Sequence, residues 1–112
     1  MVINFKNKKF EKCCNTLKEA QKKWGTQQGK KVLDRLNEMR DADNMLILMS
    51  IPQARCHPLT GDRKGQWSVN LKHPYRLIFE LVSEPLPRSK GGGLDMAKIT
   101  EVKIIGVEDT HG

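Results

Sequence analysis

An arginine stands within an otherwise apolar segment of this sequence. Arg76 lies in the run from Tyr75 to Val82, whose one other charged residue is Glu80. An unpaired guanidinium is costly among apolar groups, so the side chain should reach the open face of a sheet and meet an anion there. A planar, permanently charged group that donates two parallel hydrogen bonds suits a phosphate. The alternative is a structural ion pair with Glu80 or Asp109.

Two of the three histidines could transfer protons. Imidazole titrates near neutrality, so it can act as an acid or as a base. His57 precedes Pro58 on a predicted strand that would lie along the same sheet face as Arg76, and His111 follows the last predicted strand. His73 lies in a predicted turn and is assigned no chemistry. A lone histidine is more often structural than catalytic, so these residues define candidates and no more.

The positive charge of the chain is concentrated at one end. The formal net charge is +7, and residues 1–40 hold eleven lysines and arginines against four acidic residues, which leaves the rest of the chain balanced. A one-sided basic surface captures polyanions, which favours nucleic acid or an acidic protein as a partner over membrane phosphate. The alternative is a solvated helical face that serves solubility.

Length, hydropathy and cysteines restrict the class of protein. The 112 residues fit a single domain, residues 1–112. Neither a run of roughly 20 apolar residues nor the apolar stretch of a signal peptide is present, so a cytoplasmic location is expected. Cys13, Cys14 and Cys56 are odd in number and lack Cys-x-x-Cys spacing, which argues against a disulfide framework and against zinc. No metal or other cofactor is expected.

Hydrophobic periodicity predicts an α+β fold. Apolar residues at three- and four-residue steps predict a helical hairpin over residues 7–24 and 27–42. Residues 44–52 have no assignable form, and the Pro/Gly-rich segment 83–96 is predicted to be a flexible loop. The expected architecture is an N-terminal strand and the hairpin, packed on a mainly antiparallel twisted sheet of about four to five strands. Apolar patterns predict these strands over residues 2–5, 54–59, 66–72, 75–82 and 97–107.

Several short segments carry a resemblance to a known family. They are His57-Pro58-Leu59, Gly61-Asp62-Arg63-Lys64-Gly65, Trp67-Ser68-Val69, Tyr75-Arg76-Leu77 and the ending Glu108-Asp109-Thr110-His111. In type and order these segments resemble the killer proteins of plasmid-maintenance toxin–antitoxin systems, the HigB type of the RelE/ParE superfamily. The predicted order of elements also agrees with the RelE-like fold over nearly the whole chain.

The resemblance implies a toxin that cleaves messenger RNA in the decoding site of the ribosome and is neutralised by a co-expressed antitoxin. Cleavage without a metal needs a base for the 2′-hydroxyl, a cation for the phosphate and an acid for the departing 5′-oxygen. The family's functional pattern falls on His57, Arg76, Asp109 and His111. Basic residues of the central turn and the first helix are predicted to contact RNA: Arg63, Lys64, Lys8, Lys9 and Lys12.

Two positions depart from the family pattern. HigB-type members generally carry a lysine where this chain has Thr60 and a tyrosine where it has Thr110. Threonine supplies neither a cation nor a stacking surface, although Arg63 or Lys64 could replace the missing lysine. These departures leave two alternatives open, a ParE-like inhibitor that binds DNA gyrase without cleaving, and a basic RNA-binding module held by phosphate contacts. The histidines and Arg76 favour the endoribonuclease.

Overall fold

A computed structural model describes residues 1–110 and shows a five-stranded sheet with helices packed on one face. The elements are β1 (Val2–Phe5), α1 (Lys8–Cys13), α2 (Leu17–Trp24), α3 (Thr26–Asp41), α4 (Met45–Met49), β2 (His57–Pro58), β3 (Gln66–Asn70), β4 (Tyr75–Leu81) and β5 (Glu101–Asp109). The strand order is β1-β5-β4-β3-β2, and every pair is antiparallel except β1 with β5. The predicted α+β class and mainly antiparallel sheet are confirmed.

Strand side chains alternate between a core face and an open face. Val69 of β3 and Phe79 of β4 are fully buried in one cluster with Leu36 of α3. The intervening residues, among them Ser68 and Arg76, therefore point to the face that the helices leave uncovered. The open face is where the candidate site lies.

The single helix predicted over residues 7–24 is wrong, because this segment forms two helices. The side chain of Asn7 accepts hydrogen bonds from two backbone N–H groups of the first turn of α1. Thr16 is extended, and its hydroxyl accepts a hydrogen bond of 3.1 Å from the backbone N–H of Glu19. A threonine cap of this kind stabilises a new helix start, so α2 begins at Leu17.

Two predicted strands are shorter than expected at their N-terminal ends. The strand predicted over residues 54–59 is reduced to the two residues of β2, because Pro52–Ala54 form a 3-10 turn. The last strand starts at Glu101 rather than at residue 97, because Met96–Lys98 also form a 3-10 turn. Local turn geometry thus sets where these two strands begin.

The two segments without predicted regular structure differ from each other. Residues 44–52 contain α4, which begins where the Asn44 side chain accepts a hydrogen bond from Ile47. Residues 83–96 contain an isolated bridge between Arg88 and Leu94. The flexibility of this loop stays a prediction.

Two kinds of structural feature are absent from residues 1–110. Within residues 1–110, none of the helices is both long and apolar enough to cross a membrane. In the same range, no cluster of His, Cys, Asp and Glu side chains has the arrangement needed to hold a metal ion.

Gly29 lets α2 and α3 approach closely, and replacing it tests the packing of these helices. A Cβ atom on Gly29 would lie 2.5 Å from the backbone nitrogen of Gln21. Since the two backbones would have to separate, we expect Gly29→Ala to lower the free energy of unfolding by about 2 kcal/mol, although alanine itself favours a helix by about 1 kcal/mol over glycine. Urea denaturation measures the change. Gly91→Ala is the control, because no atom lies within 4 Å of its Cβ position; equal midpoints for both variants would contradict the close packing.

Candidate functional site

Neighbouring strands bring His57 and Arg76 together on the open face. His57 of β2 is paired with Ser68 of β3, and Asn70 of β3 is paired with Arg76 of β4. Nη1 of Arg76 lies 2.8 Å from Nε2 of His57 and 3.4 Å from Oγ of Ser68. His57 and Arg76, two residues predicted separately from the sequence, therefore form one polar cluster with Ser68. This group is called the open-face cluster.

The contacts of His57 fit one tautomer of its ring. The guanidinium of Arg76 can only donate, so its contact with Nε2 is a hydrogen bond when that nitrogen has a free lone pair. Nδ1 of the same ring lies 3.1 Å from the carbonyl oxygen of Pro58, which can only accept, so this contact is a hydrogen bond when Nδ1 carries the proton. In that tautomer the lone pair of Nε2 is directed at Arg76. An anion that draws Arg76 away would leave Nε2 free to take a proton.

A pocket of about 290 Å³ lies beside Arg76, and a second guanidinium lines it. Arg55 ends the 3-10 turn before β2 in a left-handed conformation (φ 44°). Two arginines on one small pocket make it attractive to a phosphate. Sequence reasoning missed Arg55, since it belongs to no motif and is one of twenty lysines and arginines. The remaining lining comes from β3, β4 and their turn: Asn70, Leu71, His73, Pro74 and Tyr75.

Arg63, a predicted RNA contact, is held by a carboxylate. Both terminal nitrogens of Arg63 contact the carboxylate of Glu108, and Nη1 also donates to Oε1 of Gln66 at 3.1 Å. The hydrogen bond to Glu108 raises the pKa of Arg63. Glu108 is paired with Arg76 across β4 and β5, so this ion pair borders the same face of the sheet. Arg63 would have to exchange Glu108 for a phosphate in order to bind RNA.

Asp109 lies on the other side of β5 from Glu108. It is exposed and paired in register with Tyr75, whereas Arg76 is paired with Glu108. Within residues 1–110, no ion pair joins Arg76 to Glu80 or Asp109, which were the carboxylates considered for a structural role. The fourth predicted catalytic residue, His111, lies outside the described residues.

The predicted lysine contacts lie in two separate places. Lys64 is exposed at the end of the 3-10 turn that contains Arg63, close to the open-face cluster in sequence. Lys8, Lys9 and Lys12 are exposed on α1, which packs against β1 and α2. Since β1 and β2 are at opposite edges of the sheet, the fold does not bring the lysines of α1 to His57.

Cys56 precedes His57, and the reactivity of the Cys56 thiol can be measured. Burial raises the pKa of Cys56 to about 12, and burial followed by the neighbouring Cys13 raises the pKa of Cys14 to about 12. Both thiols therefore stay protonated at neutral pH and react poorly. We expect iodoacetamide at pH 8 to modify both at least about tenfold more slowly in the folded protein than in urea, as measured by peptide mass spectrometry. Rapid labelling of Cys56 in the folded protein would instead indicate a reactive thiolate beside His57.

The fold of this chain has a counterpart among solved structures. The sequence matches no protein-family model and no curated protein. Among solved structures, it is similar to the YoeB/ParE toxin from Agrobacterium tumefaciens, with a TM-score of 0.51. This chain shares its fold. The alignment covers 99% of this chain and 100% of that chain at 13% identity, so the likeness concerns the fold. The RelE-like fold expected from the sequence is confirmed, whereas the narrower HigB type belongs to the proposal below.

Proposed function

We propose that this chain is the toxin of a type II toxin–antitoxin system and cleaves messenger RNA on the ribosome by metal-independent acid–base chemistry. The observation that carries the proposal is the 2.8 Å contact between His57 and Arg76 on the open face of the sheet. The RelE-like fold supports the toxin class, because the similar solved structure is a YoeB/ParE toxin. The central motif from His57 to Val69 supports the HigB type within that class.

The proposed reaction begins at the open-face cluster. A scissile phosphate binds Arg76 and Arg55, which releases the lone pair of Nε2 on His57. His57 removes the proton of the neighbouring 2′-hydroxyl, and the oxygen attacks phosphorus. Charge that develops on the phosphate oxygens is stabilised by the guanidinium groups. The bond to the 5′-oxygen breaks, which leaves a 2′,3′-cyclic phosphate on the upstream fragment.

The departing 5′-oxygen needs a proton, for which we propose His111. This residue follows Asp109, the last residue of β5, by two positions. Asp109 is proposed as the acidic member of the site through its position at this strand end. Lys64 and, after release from Glu108, Arg63 would hold RNA phosphates next to the cluster.

Three partners and a location follow from the proposal. A cognate antitoxin neutralises the toxin, and the ribosome presents the messenger RNA in the cytoplasm. The net charge of +7 favours association with ribosomal RNA and with an acidic antitoxin surface. The lysines of α1, far from His57 in the sheet order, would serve this association rather than the reaction.

The test combines purified protein, translating ribosomes and a defined message, followed by mapping of the RNA ends. We expect internal cuts that require ribosomes. An intact message at a protein concentration that saturates the ribosomes would overturn the proposed activity. The same reaction with a 2′-deoxynucleotide at the mapped position is expected to leave that position uncut.

A second candidate is inhibition of DNA gyrase without cleavage, as in ParE-like members of the superfamily. Thr60 supplies no cation, and Arg63 is already paired with Glu108, so the phosphate-binding capacity of this turn is reduced. A supercoiling assay run beside the ribosome assay separates the two activities. Loss of supercoiling with an intact message would favour the inhibitor.

A further inference from the structure

The pocket beside Arg76 shares two lining residues with a larger groove. The groove has a volume of about 750 Å³ and lies between the α2–α3 junction and the β3–β4 turn. His73 and Tyr75 line both cavities, so the two cavities adjoin at the β3–β4 turn, although Arg76 and Tyr75 point to opposite faces of the sheet. The pocket of the proposed site and the groove together are called the channel.

The channel has the chemistry that a single RNA strand requires. Tyr75 is 46% exposed, which leaves its ring available for stacking. Arg55 and Arg76 lie on one side of Tyr75, and Lys23 and Lys72 line the groove on the other side. Among the described residues that line either cavity, none is acidic. Phosphates and stacked bases are the groups that such an alternation of cations and an aromatic ring recognises.

The wall of the groove is fixed before any ligand binds. The side-chain amide of Gln28 donates to the carbonyl oxygen of Lys72 at 3.2 Å and accepts from the backbone N–H of Lys72 at 2.8 Å. Trp24 packs on Phe10 with 5.2 Å between ring centroids. The bonds of Gln28 hold α3 and the β3–β4 turn together, and the ring contact holds α2 on α1. Both reduce the ordering that binding would otherwise require.

We infer that the groove is a subsite for the single-stranded message on one side of the scissile phosphate, with a base stacked on Tyr75 and phosphates held by Lys72 and Lys23. The inference rests on the proposed function and deepens it by assigning substrate contacts.

The test is fluorescence anisotropy with a labelled, unstructured 12-nucleotide RNA that carries 2′-O-methyl groups, so that it is bound but not cut. We expect Tyr75→Ala to weaken binding by about tenfold and Tyr75→Phe, which keeps the ring, to bind within about twofold of the unchanged protein. The double variant Lys23→Gln/Lys72→Gln should lower the slope of log K against log salt by about 1.4, or about 0.7 for each lost phosphate contact. Lys31→Gln/Lys90→Gln is the charge-matched control, since both residues are exposed and neither lines the groove.

Equal affinity for Tyr75→Ala and Tyr75→Phe, or equal salt slopes for the two double variants, would overturn the inference. A labelled peptide of alternating Glu and Ala is the second probe; binding with the same dependence on Tyr75 would assign the groove to an acidic protein and also overturn it. The ribosome assay keeps the two proposals apart. RNA binding that depends on the groove, without cleavage of the message, would overturn the proposed activity alone. Cleavage of the message, with unaltered RNA binding by all variants, would overturn the proposed subsite alone.

Discussion

Arg76→Gln will lower the single-turnover rate of message cleavage on ribosomes by about a thousandfold, because it removes the positive charge beside the scissile phosphate. Glutamine keeps hydrogen-bonding groups near His57 and Ser68, so the change acts mainly on charge. Arg76→Lys should give a cleavage rate between those of Arg76→Gln and the unchanged protein, because lysine restores the charge without the planar fork. Quench-flow measurements of the labelled message give these rates.

Glutamine is preferred to alanine at this position for a structural reason. Ser68 is fully buried, and its hydroxyl is a hydrogen-bond partner of Arg76. Arg76→Ala could therefore cost about 1–3 kcal/mol of stability by leaving that hydroxyl without this partner. Arg88→Gln is the matched control, because Arg88 is an exposed arginine of the loop at residues 83–96. A comparable loss of rate in Arg88→Gln would show that total charge, rather than the position of Arg76, determines cleavage.

His57→Ala will lower the same rate by about a hundredfold to a thousandfold, because general-base catalysis by a positioned imidazole contributes that much. The limb of the pH–rate profile that reports this base should disappear in the variant. Added imidazole should restore part of the rate, since the ring of His57 is exposed and its place can be reached from solvent. Thermal denaturation of the variant checks that the fold is retained.

An unchanged pH–rate profile in His57→Ala would assign the base to another group. Loss of rate without any rescue by imidazole would instead indicate that His57 positions Arg76 and does not transfer the proton. In that event the 2.8 Å contact between His57 and Arg76 would still explain why both residues are needed. A different side chain would then remove the proton of the 2′-hydroxyl.

The parts of the site that follow from strand pattern could be predicted from the sequence. Arg76 breaks an apolar run, so its side chain had to leave the core, and the structure directs it to the open face. His57 stands at the start of the hairpin that leads to β4, and the pairing of β2 with β3 brings it to the same face. Both conclusions depend on the alternation of apolar and polar residues along a strand and on short connections between strands. A single sequence indicates both of these features.

The remaining contacts depend on long-range register and local turns. Arg63 and Glu108 meet although 45 residues separate them, and β4 and β5 pair with a register shift between Ile78 and Phe79. Arg55 joins the site through a left-handed turn at a residue type that has no preference for it. The break between α1 and α2 at Thr16 shows the same limit, since one capping residue outweighs a continuous apolar stripe.

We propose that His57 and Arg76 act together on a phosphodiester through attack by the 2′-hydroxyl. The decisive measurement of this claim is the mass of the upstream RNA fragment that the unchanged protein produces on ribosomes carrying a defined message. We predict a fragment that ends in a 2′,3′-cyclic phosphate and that Arg76→Gln fails to produce at the same rate. A fragment that ends in a free 3′-hydroxyl, or no fragment at all, would contradict the claim.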